Sequence, residues 1–194
     1  MIDIKKEKTA LRRLCKKKRA QIQGSEKEAF DKSICACIAH LPEFSSASVL
    51  LAYYPVSTEI NIMPLVSLAE KHGKRVAFPV CISETEMVFR YCDDIESQPC
   101  GAYGIKEPSE GHSLYEKSSD TFCIIPALAV DKNGYRTGYG RGYYDRFLSG
   151  YEGAGAAVIY SALVFDEIPH DCYDAKIKTI ITERGVLPTN EQEQ

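Results

Sequence analysis

From residue 48 onward the chain alternates short apolar runs with stretches of helical character, and this alternation limits the architectures open to it. Segments 48–54, 75–81, 87–92, 122–125, 156–160 and 179–182 read as strands. Helical patterns fall at 62–72, with Pro64 in a first turn that needs no N–H from it, and at 143–148. Two further helices precede the first strand. Ile4, Leu11, Leu14, Cys15 and Ile22 recur near helical spacing across 5–22, which predicts an apolar stripe with basic residues on the opposite face. Ser25 followed by Glu28 has capping-box spacing; Phe30, Ile34, Ile38 and Leu41 mark a second stripe, which Pro42 ends. Residues 93–120 are polar and read as a long irregular connection. This order predicts a three-layer α/β/α sandwich around a mostly parallel sheet, with room for antiparallel edge strands. No internal repeat or linker interrupts it, so one domain over 1–194 is expected, with a frayed tail at 188–194.

Composition narrows the function classes. Hydrophobic residues at 44% suffice for a core, and a net charge of -3 gives no global attraction to nucleic acid. The charge is uneven, however. Residues 5–19 hold nine Lys/Arg and one Glu, a run that by itself describes a solvated helix face. With no aromatic platform it is a poor RNA reader, and we expect no nucleic-acid partner. The eight cysteines include no Cys-x-x-Cys pair and none at zinc spacing from a histidine, which points to reduced, mostly buried thiols and a reducing compartment. The longest apolar runs are too short to span a bilayer. The expectation is a cytoplasmic monomer with no membrane partner. His40, His72, His112 and His170 have no neighbouring nucleophile or metal-like partner, and no Ser or Cys carries the signature of a covalent nucleophile.

Chemistry concentrates at 126–148, PALAVDKNGYRTGYGRGYYDRFL. Glycines at 138, 140 and 142 let backbone amides approach an anion without intervening β-carbons, and a helix following the loop would aim its amino end at the same anion. Arg136 and Arg141 can grip phosphate oxygens in forked fashion, and Asp145 is a hard carboxylate of the kind Mg²⁺ prefers. The loop is neither a Walker A motif nor a dinucleotide fingerprint. As residues alone, the pattern also fits a tight strand-to-helix connection with surface arginines.

Gly138-Tyr139-Gly140, Gly142 and Tyr143-Tyr144-Asp145-Arg146, behind the Pro126–Asp131 run, resemble the signature of the 5-formyltetrahydrofolate cyclo-ligase family. Val130 and Thr137 depart mildly from its usual Phe and Leu. The resemblance extends to Lys8-x-x-x-Arg12, Tyr53-Tyr54-Pro55 through Glu59, Phe78-Pro79, 101–108 (GAYGIKEP), Ile168-Pro169, Asp174 and Thr182-Glu183. Asn61, Ile62 and Tyr173 stand where the family commonly has Asp, Thr and His. The resemblance implies ATP as co-substrate, Mg²⁺ as cofactor and closure of 5-formyltetrahydrofolate to 5,10-methenyltetrahydrofolate. It implies ATP contacts at Lys8, Arg12, Arg136, Thr137, Gly138, Tyr139, Gly140, Arg141, Gly142, Tyr143 and Tyr144. Folate contacts are implied at Tyr54, Glu59, Tyr139, Gly140, Arg141, Gly142 and Tyr143, and metal contacts at Asp145 and Asp174. Two alternatives stay open on the residues: a folate- or nucleotide-binding module without turnover, and a sugar-phosphate isomerase or acyl-thioester transferase on a related scaffold.

Overall fold

The computed structural model describes residues 3–101 and 103–187. The tail expected to fray, 188–194, lies outside the described residues. Helices α1 (Ile4–Arg19), α2 (Gly24–Ala39) and α3 (Pro42–Ser46) lead to strand β1 (Val49–Leu51). Then come α4 (Met63–Lys71), β2 (Arg75–Cys81), β3 (Met87–Tyr91), β4 (Thr121–Pro126), β5 (Ala129–Asp131), β6 (Arg136–Thr137) and α5 (Tyr143–Leu148). Strand β7 (Ala154–Val158), a 3₁₀ turn at Ser161–Leu163, β8 (Val164–Phe165), β9 (Ile180–Thr182) and β10 (Gly185–Leu187) complete the order.

Seven strands form one sheet in the order β10-β9-β7-β4-β1-β2-β3. Its five inner strands pair in parallel; β3 and β10 run antiparallel at the two edges. This is the mostly parallel α/β sheet with antiparallel edges that the strand order predicts. Because parallel strands are covered on both faces, they are apolar throughout: β1 is wholly buried, and β4 is buried up to Pro126. Alternation along β4 separates the two covers. Phe122 meets Phe44 of α3 edge-on at 5.7 Å, and α2 contacts both α3 and α4. Cys123 points to the other face, within electrostatic reach of Arg136 and Tyr144. The second cover is therefore mixed, made from α5 and a small sheet ordered β6-β5-β8.

That small sheet was not expected. It depends on Asp131, a fully buried carboxylate whose Oδ1 accepts the N–H groups of Asn133 and Tyr135, both at 3.0 Å, and whose Oδ2 accepts that of Ile168 at 3.1 Å. Gly134, at φ 87°, closes the turn against the Ile177 carbonyl, where a Cβ would sit 2.7 Å from oxygen. The resulting hairpin lifts Arg136 into β6.

Two expected helix signals resolve differently. Helix α2 starts at Gly24 with Gln23 before it and no side-chain cap, so Ser25 lies inside the first turn and the capping box is not formed. Pro42 does not end α2, which stops at Ala39; it opens α3. In α1 the predicted apolar stripe is partly formed and shares its face with cations: Cys15 and Ile22 are buried and Leu11 packs on the core, but Ile4 is 39% and Leu14 46% exposed, while Lys8 and Arg19 are buried. The face of α1 turned toward the protein carries charge because a cleft lies under it.

Candidate active site

One cleft of about 700 Å³ opens beside the carboxyl ends of β1, β2 and β4. Strand β1 lies between β2 and β4, so the chain changes direction across the sheet there, which is where open α/β sheets leave a crevice. Tyr53 and Tyr54 leave β1 into it, Pro79 and Cys81 enter from β2, and Pro126 from β4.

Residues far apart in sequence form its charged wall. Lys8 of α1 donates to Asp171 at 2.8 Å and to Asp174. Burial alone would lower the Lys8 ammonium's pKa, but the two carboxylates outweigh it and hold it above its ordinary value. Lys8 in turn, followed by the N–H of Tyr173, holds Asp171 below the usual carboxylate range. Four residues on, Arg12 passes its Nε–H to the Gly138 carbonyl at 2.9 Å, which ties α1 to the glycine loop. Arg136 is almost fully buried and pairs with Asp145 at 3.0 Å across the loop. Lys16 stays exposed yet lines the cleft, 5.5 Å from the Tyr139 ring.

Each loop glycine has its own reason. A Cβ at 138 would lie 2.6 Å from Arg136 Nη1, and one at 140 would lie 3.2 Å from the Arg12 guanidinium carbon. Gly140 and Gly142 also hold φ of 102° and 68°, values that favour glycine. Helix α5 starts after Gly142 but spans six residues, too short to focus much of a dipole on an anion as the sequence had suggested. The loop's amides and the surrounding cations carry that task instead. Three buried polar atoms here lack a hydrogen-bond partner among the described residues: Arg136 Nε, Thr137 Oγ1 and the Tyr144 hydroxyl. Burial holds the Tyr144 hydroxyl well above its ordinary pKa, so it remains a donor.

Glu59 is buried, with Oε2 accepting the Val56 N–H at 3.0 Å and Oε1 accepting the Tyr139 hydroxyl. That hydroxyl accepts from Arg19 at 2.6 Å, so Arg19, Tyr139 and Glu59 form a chain joining α1, the glycine loop and the segment after β1. Tyr54 is fixed at its hydroxyl by Glu96 at 3.1 Å. Tyr143 donates to the Ser83 carbonyl at 2.8 Å and meets the Tyr103 hydroxyl at 3.1 Å. Every residue that the sequence singled out for ATP, folate or metal thus lines this one cleft: Lys8, Arg12, Tyr54, Glu59, 136–145 and Asp174.

Sequence reasoning did not select Arg19, Lys16, Asp171, Tyr103 or Glu107. Arg19 was legible as the i+7 neighbour of Arg12 on α1, and Asp171 as an acid three residues before Asp174. Tyr103 and Glu107 sit in the irregular connection, inside the 101–108 run (GAYGIKEP) that carries the family resemblance but was given no ligand role.

Asp145 and Asp174 are the expected metal carboxylates. Each is held by a cation, and no group of three or more described His, Cys, Asp or Glu residues is gathered to hold a metal. That donor set fits Mg²⁺ arriving with a nucleotide, since this ion is bound through one or two carboxylates plus phosphate oxygens and water.

The profile of the 5-formyltetrahydrofolate cyclo-ligase family matches residues 4–183. A Schizosaccharomyces pombe protein named as a probable 5-formyltetrahydrofolate cyclo-ligase is 30% identical over 173 residues, covering 80% of this chain and 84% of its own. A Mycolicibacterium smegmatis 5-formyltetrahydrofolate cyclo-ligase is 28% identical over 152 residues, covering 73% and 77%. The solved structure of an Aquifex aeolicus 5,10-methenyltetrahydrofolate synthetase matches with TM-score 0.80 at 31% identity, over 94% of this chain and 93% of that one. With the profile spanning nearly the whole fold and every cleft-forming element, the chain belongs to the 5-formyltetrahydrofolate cyclo-ligase family.

Proposed function

We propose that this protein couples ATP cleavage to the closure of 5-formyltetrahydrofolate to 5,10-methenyltetrahydrofolate, releasing ADP and phosphate. The observation that carries the reading is a single cleft with a cationic, glycine-lined wall facing an apolar, tyrosine-rich one. A triphosphate suits the first and a flat pterin the second.

A formamide is a poor electrophile, because its nitrogen lone pair is delocalised and its oxygen leaves badly. Attack of the formyl oxygen on the γ-phosphorus of ATP forms an O–P bond as the bond to the ADP oxygen breaks. Nitrogen 10 then adds to the activated carbon and loses its proton, phosphate departs, and the five-membered ring closes. No covalent bond to the protein is needed; the chain must align oxygen with phosphorus and neutralise charge. Lys8, Arg12, Arg136 and Arg141 hold phosphate oxygens, together with the amides of 137–142. Tyr139, Tyr143 and Tyr144 wall the nucleotide and folate, and Tyr54 and Glu59 contact the folate. Asp145 and Asp174 would hold Mg²⁺, which supplies charge neutralisation at the transferring phosphoryl group. Binding exchanges partners already present: a triphosphate arriving beside Lys8 and Arg136 competes with the carboxylates that now hold them.

A monomeric, cytoplasmic enzyme completes this reading, and the eight free thiols suit a reducing compartment. Among the described residues no helix is long and apolar enough to cross a membrane. The test mixes protein, Mg²⁺, ATP and 5-formyltetrahydrofolate and follows methenyl-folate absorbance. Asp145→Asn should retain the fold by circular dichroism while losing about 2–5 kcal/mol of charge-dependent binding, read as a collapse of turnover. Wild-type turnover by that variant would remove Asp145 from the metal site.

A further inference from the structure

Five carboxylates line the cleft, and four already face a side-chain donor of the chain: Glu59 the Tyr139 hydroxyl, Asp145 the Arg136 guanidinium, Asp171 and Asp174 the Lys8 ammonium. Glu107 is the exception. Among the described residues no cation pairs with it; its carboxyl lies by the backbone N–H of Cys81. Burial accordingly raises its pKa against the pull of that N–H.

The fold holds this carboxyl in place deliberately. Glu107 closes a backbone loop in which its N–H donates to the Pro99 carbonyl at 3.1 Å and the Gly101 N–H donates to the Ile105 carbonyl at 2.8 Å. A bridge between Cys100 and Lys106 narrows the same loop. Gly101 makes room for the carboxyl, since a Cβ there would overlap it. The same cleft carries Pro79, Cys81, Met87, Ile105 and the rings of Tyr103 and Tyr143, over which the Arg141 and Arg146 guanidinium groups lie at 5.9 and 5.7 Å.

An acceptor of this kind, with no cation paired to it among the described residues, selects a neutral ligand edge that offers two adjacent N–H donors. Phosphates and the glutamate end of a folate are anionic and are repelled. The adenine edge interleaves its amino group with ring acceptors. A 2-amino-4-oxopterin, by contrast, presents N3–H and its 2-amino group side by side on a flat ring, the spacing of two carboxylate oxygens. We propose that Glu107 receives the N3–H and 2-amino donors of the pterin and so fixes the folate's orientation on the tyrosine wall. This rests on the proposed cyclo-ligase reading and names the residue that anchors the substrate's far end.

Calorimetric binding separates this proposal from that reading, because it needs no turnover. Kd for 5-formyltetrahydrofolate and for ATP is measured with wild type, Glu107→Gln and Gly101→Ala, alongside kcat and KM. The folate is then replaced by its analogue bearing a 2-methyl group in place of the 2-amino group. Loss of charged hydrogen bonds should weaken folate binding by about 10- to 100-fold in Glu107→Gln, with ATP binding unchanged. Gly101→Ala, which displaces the carboxyl without removing it, should show the same pattern. The analogue should bind wild type more weakly by a similar factor and Glu107→Gln no more weakly than folate does, the non-additivity of a shared contact. Unchanged folate affinity in Glu107→Gln overturns the proposal. So does a fall in kcat alone with full discrimination against the analogue, which would give the carboxyl a proton-transfer role instead. Wild type that binds folate as expected but fails to cyclise it would sink the cyclo-ligase reading and leave the pterin anchor standing.

Discussion

The two walls of the cleft are held together in different ways. On the charged side, α1, the glycine loop and the 171–174 turn meet through cations of α1 that reach carboxylate, carbonyl or hydroxyl oxygens more than a hundred residues away, as Lys8 does with Asp171 and Arg12 with Gly138. On the tyrosine side, β2, β3 and the 99–108 loop are held by backbone hydrogen bonds and ring edges, such as Phe89 with Tyr144 and Tyr103 with Tyr143, both at 6.5 Å. A wall of paired charges fails abruptly when one partner is removed, because the other is left desolvated. A wall of rings and amides loses function in smaller steps.

Arg136→Ala should therefore have the largest effect in the molecule. It leaves Asp145 without its partner, and breaking a buried pair costs about 3–5 kcal/mol, so the urea midpoint should fall steeply along with turnover. A midpoint within error of wild type would mean that Arg136 is a surface phosphate hook and not part of a buried pair. Gly140→Ala comes next. Its φ of 102° and the approach of Arg12 should cost about 1–3 kcal/mol, read chiefly as a raised KM for ATP with KM for folate little changed. Equal rises in both would erase the division of labour between the walls. Tyr143→Phe, on the other side, keeps the ring and loses the bond to Ser83, so a stability loss of about 1 kcal/mol and a modest rise in folate KM are expected.

The smallest effect separates the walls by sign. Burial raises the pKa of Glu107, so the folded state takes up that proton before an unfolded Glu does near about 4.3. Glu107→Gln should then be slightly more stable than wild type at neutral pH, with the gap closing as pH falls toward about 4.3. Asp171 is depressed, by Lys8 foremost, so its contribution is complete above the unfolded value near about 3.9 and is lost as pH falls through its folded value. Asp171→Asn should be less stable than wild type at neutral pH, and that gap should close only in stronger acid. Denaturant titrations across this pH range check both signs, and gaps of the same sign would refute the contrast.

The charged wall was also the legible one. Glycines at 138, 140 and 142 beside arginines signal an anion site whatever fold surrounds them, and Lys8 and Arg12 are four apart on one helix. The parallel sheet was legible for a related reason: strands buried on both faces leave continuous apolar runs such as 122–125. What escaped was structure made by backbone geometry or by distant partners. Strands β5, β6 and β8 are two or three residues long and owe their sheet to Asp131, whose third bond reaches Ile168. The buried cations of α1 lay outside its apolar pattern, because Arg19 is buried by Thr58 and Tyr139, neither of them near in sequence. In 93–120 a loop without periodicity brings Tyr103 and Glu107 to the cleft through main-chain bonds, so its 101–108 run could be matched to the family but not placed in the fold.

The most direct measurement is a crystal structure with a non-hydrolysable ATP analogue and 5-formyltetrahydrofolate bound together. The triphosphate should lie on the amides of 138–142 between Arg12 and Arg141, with the formyl oxygen facing the γ-phosphorus and the pterin against Tyr103 and Tyr143. Phosphates seated on the tyrosine wall, or a folate whose formyl group points away from the nucleotide, would contradict it.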